Sequence, residues 1–161
     1  MKIAVQMAEN NIPLAFSNHL SRMLPKLFPD SKIAQKYSVA ATKTTCMING
    51  AIAPHFLRET VNIMKCSPFS LLTDGSNDTG LEEMNPLTVK IFDVNTGRVE
   101  SRFLGMCATK GTESATAASI FQKIDDVLSL HGTSWSKCVG FSVDNTNVNL
   151  GNRNSIMTRV K

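Results

Sequence analysis

Apolar positions recur at helical spacing through residues 1–66 and at a shorter period from residue 67 onward, with the change near Ser67-Pro68. Phe16, Leu20, Met23 and Leu27 stand at i, i+4, i+7 and i+11, which lines one face of a 3.6-residue helix, and the stripe is expected to face a core. Pro25 lacks an N–H and is expected to end or bend that helix. Asp30 or Ser31 can cap a short helix carrying Ile33, Ala34 and Tyr37, because a side-chain oxygen there satisfies amide donors of the first turn. Met47, Ile48, Ala51 and Ile52 form a further segment. Pro54 then suits the opening of a helix striped by Phe56, Leu57, Thr60, Val61 and Met64.

Beyond Pro68 the pattern is that of strands. Phe69 to Thr73 is a short apolar run that meets Asp74-Gly75-Ser76-Asn77-Asp78, as expected of a buried strand ending in a loop. Residues 87–92 and 99–104 alternate apolar and polar side chains, and Asp93-Val94-Asn95-Thr96-Gly97 between them suits a hairpin turn. A helix is predicted next, with Ala117, Phe121, Ile124 and Leu128 on one face, a cap at Thr112 or Ser114, and Gly132 as its stop. Cys138 to Val143 makes another buried strand, ending at Asp144. The predicted organisation is a helical lead-in over residues 1–66 and an α/β unit of order β-β-β-α-β over residues 67–161.

That order brings two acids into consideration. A helical crossover returns the chain parallel to a strand already in the sheet. If residues 138–143 lie beside residues 69–73, Asp74 and Asp144 fall at the same end of two adjacent strands. Paired carboxylates resist joint ionisation, and a divalent cation between them removes the penalty. Mg²⁺ fits such a site, since it takes one or two carboxylates and completes its shell with water and phosphate oxygens. Other motifs fail. The loop from Asp74 has Thr79 where a calcium loop needs glycine and Asn85 where it needs glutamate. Gly140-x-Ser142-x-Asp144 is not a nucleophile elbow, and no phosphate-cradling Gly-x-x-x-x-Gly-Lys segment occurs.

Composition adds limits. The 161 residues are 42% hydrophobic and 19% charged, which suits one ordinary globular domain. No apolar run reaches the roughly 20 residues of a membrane span, and Met1 to Gln6 does not open a signal peptide; no membrane partner and an intracellular place are expected. Seventeen Lys and Arg against thirteen Asp and Glu give a net charge of +4, which permits nucleic-acid binding without requiring it. Lys32, Lys36, Lys43, Arg153, Arg159 and Lys161 could meet phosphate. Cys46, Cys66, Cys107 and Cys138 are widely spaced, with no zinc-site pattern, and are expected to be buried thiols. His19, His55 and His131 are isolated and expected to be packing or surface residues.

Three segments carry a family resemblance. Phe69 to Asp78, Phe103-Leu104-Gly105, and Cys138 to Asn145 resemble the catalytic core of hAT-superfamily transposases, in particular transposase-derived proteins that often carry an upstream zinc-finger module. Ile12 to Phe16 and Leu27 to Ala34 look like the segment that precedes that core. The resemblance implies a ribonuclease H-like fold in which Asp74 and Asp144 match the first two acids of an Asp-Asp-Glu triad and hold Mg²⁺ for catalysis. The family's glutamate follows the second aspartate after a long helical insertion. Glu82, Glu83, Glu100 and Glu113 all precede Asp144, and seventeen residues follow it. The expectation is therefore the N-terminal part of a ribonuclease H-like core, truncated, with two of three metal-binding acids and not catalytic alone. The alternative is a domesticated, non-catalytic nuclear protein that binds DNA or protein. DNA, protein partners or self-association are the expected contacts, a small-molecule substrate is not, and the nucleus is the place the resemblance implies.

Overall fold

A computed structural model describes residues 1–74, 76–77, 82–110, 116–143 and 155–160. The chain divides into two compact units, Met1–Phe56 and Leu57–Lys161.

The first unit holds α1 (Lys2–Glu9), α2 (Phe16–Leu27), α3 (Lys32–Gln35), α4 (Ala41–Met47) and a π-helical turn over Ile48–Ile52. α2 is the helix that the spacing predicts, but its direction is reversed. Phe16 and Leu27 are 41% and 58% exposed, whereas Ser17 is fully buried. The Ser17 hydroxyl lies 2.8 Å from Thr44 Oγ1 on α4, and Ser21 Oγ donates to the Val39 carbonyl at 2.8 Å. Small, hydrogen-bonded serines let the neighbouring backbone approach closely, so the polar side of the helix is the one that packs. Pro25 does not end α2. It stands in the last turn, where its missing N–H takes from the Ser21 carbonyl its i+4 helical donor, and the helix closes with the Phe28 N–H on the Leu24 carbonyl at 3.0 Å. Ser31 caps α3 as expected, its Oγ accepting from the Ala34 N–H at 3.2 Å.

α5 (Ala53–Cys66) continues from the π turn, and its residues from Leu57 onward belong to the second unit. The wide turn directly precedes Pro54, which cannot donate the helical bond that the Gly50 carbonyl would take. Thr60, Val61 and Met64 are buried, as predicted, while Phe56 is exposed.

The second unit continues with β1 (Phe69–Thr73), β2 (Ser76–Asn77), β3 (Glu82–Asp93), β4 (Arg98–Lys110), α6 (Ala117–Leu130), a 3₁₀ turn (Trp135–Lys137), β5 (Cys138–Ser142) and α7 (Ile156–Val160). The sheet runs β4-β3-β1-β5, with β2 alongside the start of β3. β3 pairs antiparallel with both β1 and β4, and β5 pairs parallel with β1. Apart from the two-residue β2, this is the predicted β-β-β-α-β order, an α/β core preceded by helices.

One face of the sheet is dry. Phe69 and Leu71 of β1, Leu87, Val89 and Ile91 of β3, and Leu104 and Cys107 of β4 are buried. They pack with Ile120, Ile124 and Leu128 of α6, Met64 of α5 and Ile156 of α7. Each large side chain buried there stabilises the unit by roughly 1.5–3 kcal/mol. The opposite face alternates exposed apolar and polar residues, with Phe92 at 49%, Val99 at 68%, Phe103 at 58% and Met106 at 48% exposed.

The hairpin strands run beyond 87–92 and 99–104, through residues 82–86 and 105–110 at the end away from the turn and by one residue each beside it, where Arg102 bridges Asp93 at 3.0 Å and Glu100 at 2.8 Å. The predicted cap positions of α6, Thr112 and Ser114, lie outside the described residues. The cap is Thr116, in a reciprocal box with Ser119: Thr116 Oγ1 accepts from the Ser119 N–H and Ser119 Oγ from the Thr116 N–H. Gly132, with φ of +61°, closes the helix in the left-handed region that favours glycine.

Candidate functional site at the ends of the parallel strands

Because β1 and β5 are parallel, their carboxyl ends open on the same side, where α/β sheets commonly take ligands. A cleft of about 420 Å³ lies there. Thr88, Leu72 and Ser142 form one row across β3, β1 and β5, fixed by the pairs Leu72↔Thr88 and Leu72↔Ser142. Asp74, Thr73, Pro86 and Val143 complete the lining. Pro86, which has no N–H for the ladder, falls one residue beyond the last β1 pair, Thr73↔Leu87, and beside the shift in β3–β4 register. Pairing between β1 and β3 therefore stops at the cleft, while β3 stays paired with β4.

The register of β5 depends on a bulge. Phe69 faces Cys138, but Ser70 faces Gly140, so Val139 is the extra residue and is 73% exposed. As a result Phe141 turns toward the core while Ser142 turns toward the cleft.

Asp74 stands at the rim, exposed, one residue past β1. Beside it Thr73 is buried, with a hydroxyl that has no hydrogen-bond partner. Thr73 alternates with Leu72 and so shares the core-facing side of β1 with Phe69 and Leu71, opposite Leu87. Asp144 lies outside the described residues, as do Glu113, Arg153 and Lys161; β5 brings the chain to Val143 at the cleft. Among the described residues no three His, Cys, Asp or Glu side chains gather to hold a metal. Sequence reasoning named the acids but passed over the hydroxyls of Thr73, Thr88 and Ser142. Their signal was the alternation itself, which puts Leu72, Thr88 and Ser142 on one face once the strands are paired.

The other candidates distribute differently. Lys32, Lys36 and Lys43 share one cleft in the first unit. Cys107 is buried, and burial, with Asp126 adding and Lys123 opposing, pushes its thiol up to about 11. Cys46 and Cys66 are exposed and Cys138 is half-buried, so the expectation of four buried thiols holds for Cys107 alone. The burial failed because Cys46 and Cys66 fall off the packed faces of their helices. Burial and the nearby Lys65 ammonium lower the pKa of His131, which follows α6.

Residues 24–152 match the family model described as DUF4371: ZMYM1/FAM200, RNase-like domain. No curated protein matches the chain.

Proposed function

We propose, on the premise that the chain belongs to the ZMYM1/FAM200 family of RNase-like domains, that it is a transposase-derived domain which docks DNA at the β1–β5 cleft without cutting it. In this reading the ancestry is hAT-like, the workplace is the nucleus, and Asp74 and Asp144 are the two acids kept from the ancestral site. The observation that carries it is the cleft at the carboxyl ends of two parallel strands with Asp74 on its rim.

The donor set suits Mg²⁺, because carboxylate and hydroxyl oxygens are the hard ligands that this ion prefers, and no sulfur or imidazole lines the cleft. Asp74 and Asp144 would hold it. When bound, the ion would offset phosphate charge and polarise a phosphoryl oxygen. The chain's own part is positional: Thr88 and Ser142 offer hydroxyls to phosphate oxygens, and Leu72 and Pro86 give the cleft an apolar floor that limits water. Strand cleavage in such sites uses a third carboxylate, and among the described residues no further acid joins Asp74 at this cleft.

Titration of the whole chain with Mn²⁺ by calorimetry tests the reading. One site is expected, weakened in both Asp74→Asn and Asp144→Asn, with no strand cleavage by any form. Unchanged binding in both variants would refute the metal pair, and cleavage by the parent chain would refute the non-catalytic role. A second reading, a protein-contact module, is favoured by the exposed Phe92, Val99, Phe103 and Met106 on the outer sheet face. It predicts that Asp74→Asn leaves partner binding intact while Phe103→Ser weakens it.

A further inference from the structure

We propose a second phosphate-binding site, separate from the β1–β5 cleft, in the first unit: a lysine-lined cleft that holds the backbone of a nucleic-acid strand. Its volume is about 470 Å³. Lys32 opens α3, Lys36 follows its last residue one turn later, and Lys43 comes from α4. Three lysines, from α3, the residue after it and α4, thus line one cleft although Lys32 and Lys43 are eleven residues apart.

No carboxylate lines this cleft, and none of the three lysines makes an ion pair with a described residue. Like charges gathered without a counter-ion repel one another, and an anion seated among them relieves that repulsion. Phosphate is the anion favoured. Lysine binds it as a point charge, the mode of the phosphate-binding loop lysine. A strand is favoured over a small ion because, Ser38 aside, the remaining described lining is apolar and aromatic. Ile33 is 84% exposed, and Tyr37 and Val39 stand beside the lysines. A cationic groove with an aromatic wall is the arrangement that holds successive phosphates and the face of a base or sugar. Three lysines fall short of the four to eight basic residues that anchor a segment to an anionic membrane.

The test is fluorescence anisotropy of the whole chain with a labelled single-stranded DNA oligonucleotide across a salt series. Each lysine that neutralises a phosphate contributes about 0.7 to the slope of log affinity against log salt. The variant Lys32→Ala/Lys36→Ala/Lys43→Ala is expected to lower that slope by about 2. The control Lys26→Ala/Lys90→Ala/Lys123→Ala is expected to change it much less, and the drop in the first variant is expected to be the same in EDTA as in Mg²⁺, which separates this site from the cleft of the second unit. Tyr37→Ala is expected to weaken binding about tenfold, with Tyr37→Phe close to the parent. An unchanged slope in the first variant, an equal loss in the control, or displacement of the oligonucleotide by polyglutamate as readily as by polyphosphate would overturn the assignment.

Discussion

Gly140 is the position where a single methyl group tests how β1 and β5 meet. A Cβ built there would stand 2.8 Å from Ser70 Oγ and 3.3 Å from Ser70 Cβ. Carbon atoms pack best at about 3.5–4.0 Å, so both contacts are too close and the strands must part or Ser70 must turn. In Gly140→Ala the Ser70 hydroxyl can rotate away, and alanine recovers some backbone entropy that glycine loses on folding. The net cost is expected at the low end of the overpacking range, about 1 kcal/mol. Gly140→Val has no such escape, because a branched Cβ fills the space into which Ser70 would turn, and about 3 kcal/mol is expected. Ser70→Gly in the same chain should recover half or more of the valine loss, as contacting residues are coupled and not additive.

Trp135 makes the measurement direct. It is the only tryptophan, it stacks on Phe121 at 5.6 Å and meets Phe141 of β5 edge-on at 6.1 Å, and its Nε1–H donates to Asp125 at 2.8 Å. Its fluorescence in a urea titration therefore reports the β5–α6 junction. With a urea slope of roughly 2 kcal/mol/M, the valine variant should lower the midpoint by about 1.5 M without changing the slope. A valine variant as stable as the parent, or no rescue by Ser70→Gly, would refute the close β1–β5 approach.

Three further outcomes follow from the same structure. Thr116→Ala removes one half of the capping box of α6 and should cost about 1 kcal/mol in the same titration, with Thr116→Ser near neutral. Timed alkylation with mass-spectrometric readout should label Cys46 and Cys66 first and Cys107 last, since the Cys107 thiol, at about 11, yields little thiolate near neutral pH. His131 has a folded pKa below its unfolded one, so the unfolded chain binds the proton more readily and stability falls as pH drops through the ordinary histidine range toward the lowered value. His131→Gln should flatten that acid-side loss relative to the parent in denaturation curves taken at a series of pH values.

Much of the second unit was legible in the sequence because its strands state their faces. Phe69 to Thr73 and Cys138 to Val143 are short apolar runs, and a helix between two such runs leaves little choice but a parallel return. Helix α2 was legible in period and misleading in direction. Hydrophobicity marks Phe16 and Leu27, yet the packed side is made by Ser17 and Ser21, whose fit depends on hydroxyl partners 27 and 18 residues away in the chain. No local pattern encodes such partners. The first acid of the candidate site was readable as the residue after a strand, whereas Thr73 became notable only through its burial without a partner. The lysine cleft was invisible for a related reason: Lys32 and Lys43 meet through a turn between helices and not through a repeat.

The extra residue in β5 bears on how this chain can change length. Val139 lies outside the ladder, so losing its codon would leave Cys138 and Phe141 facing inward and Ser142 facing the cleft, now in a straight register. Losing the codon for Gly140 instead keeps that alternation but seats Val139 opposite Ser70, where a Cβ meets Ser70 Oγ at 2.8 Å, and losing the codon for Phe141 puts Gly140 in its core-facing place. A single-codon deletion scan across β5 should therefore find one tolerated position among intolerant neighbours. Along this strand, inheritance of a gap is filtered by the side chain it brings opposite Ser70 and into the core.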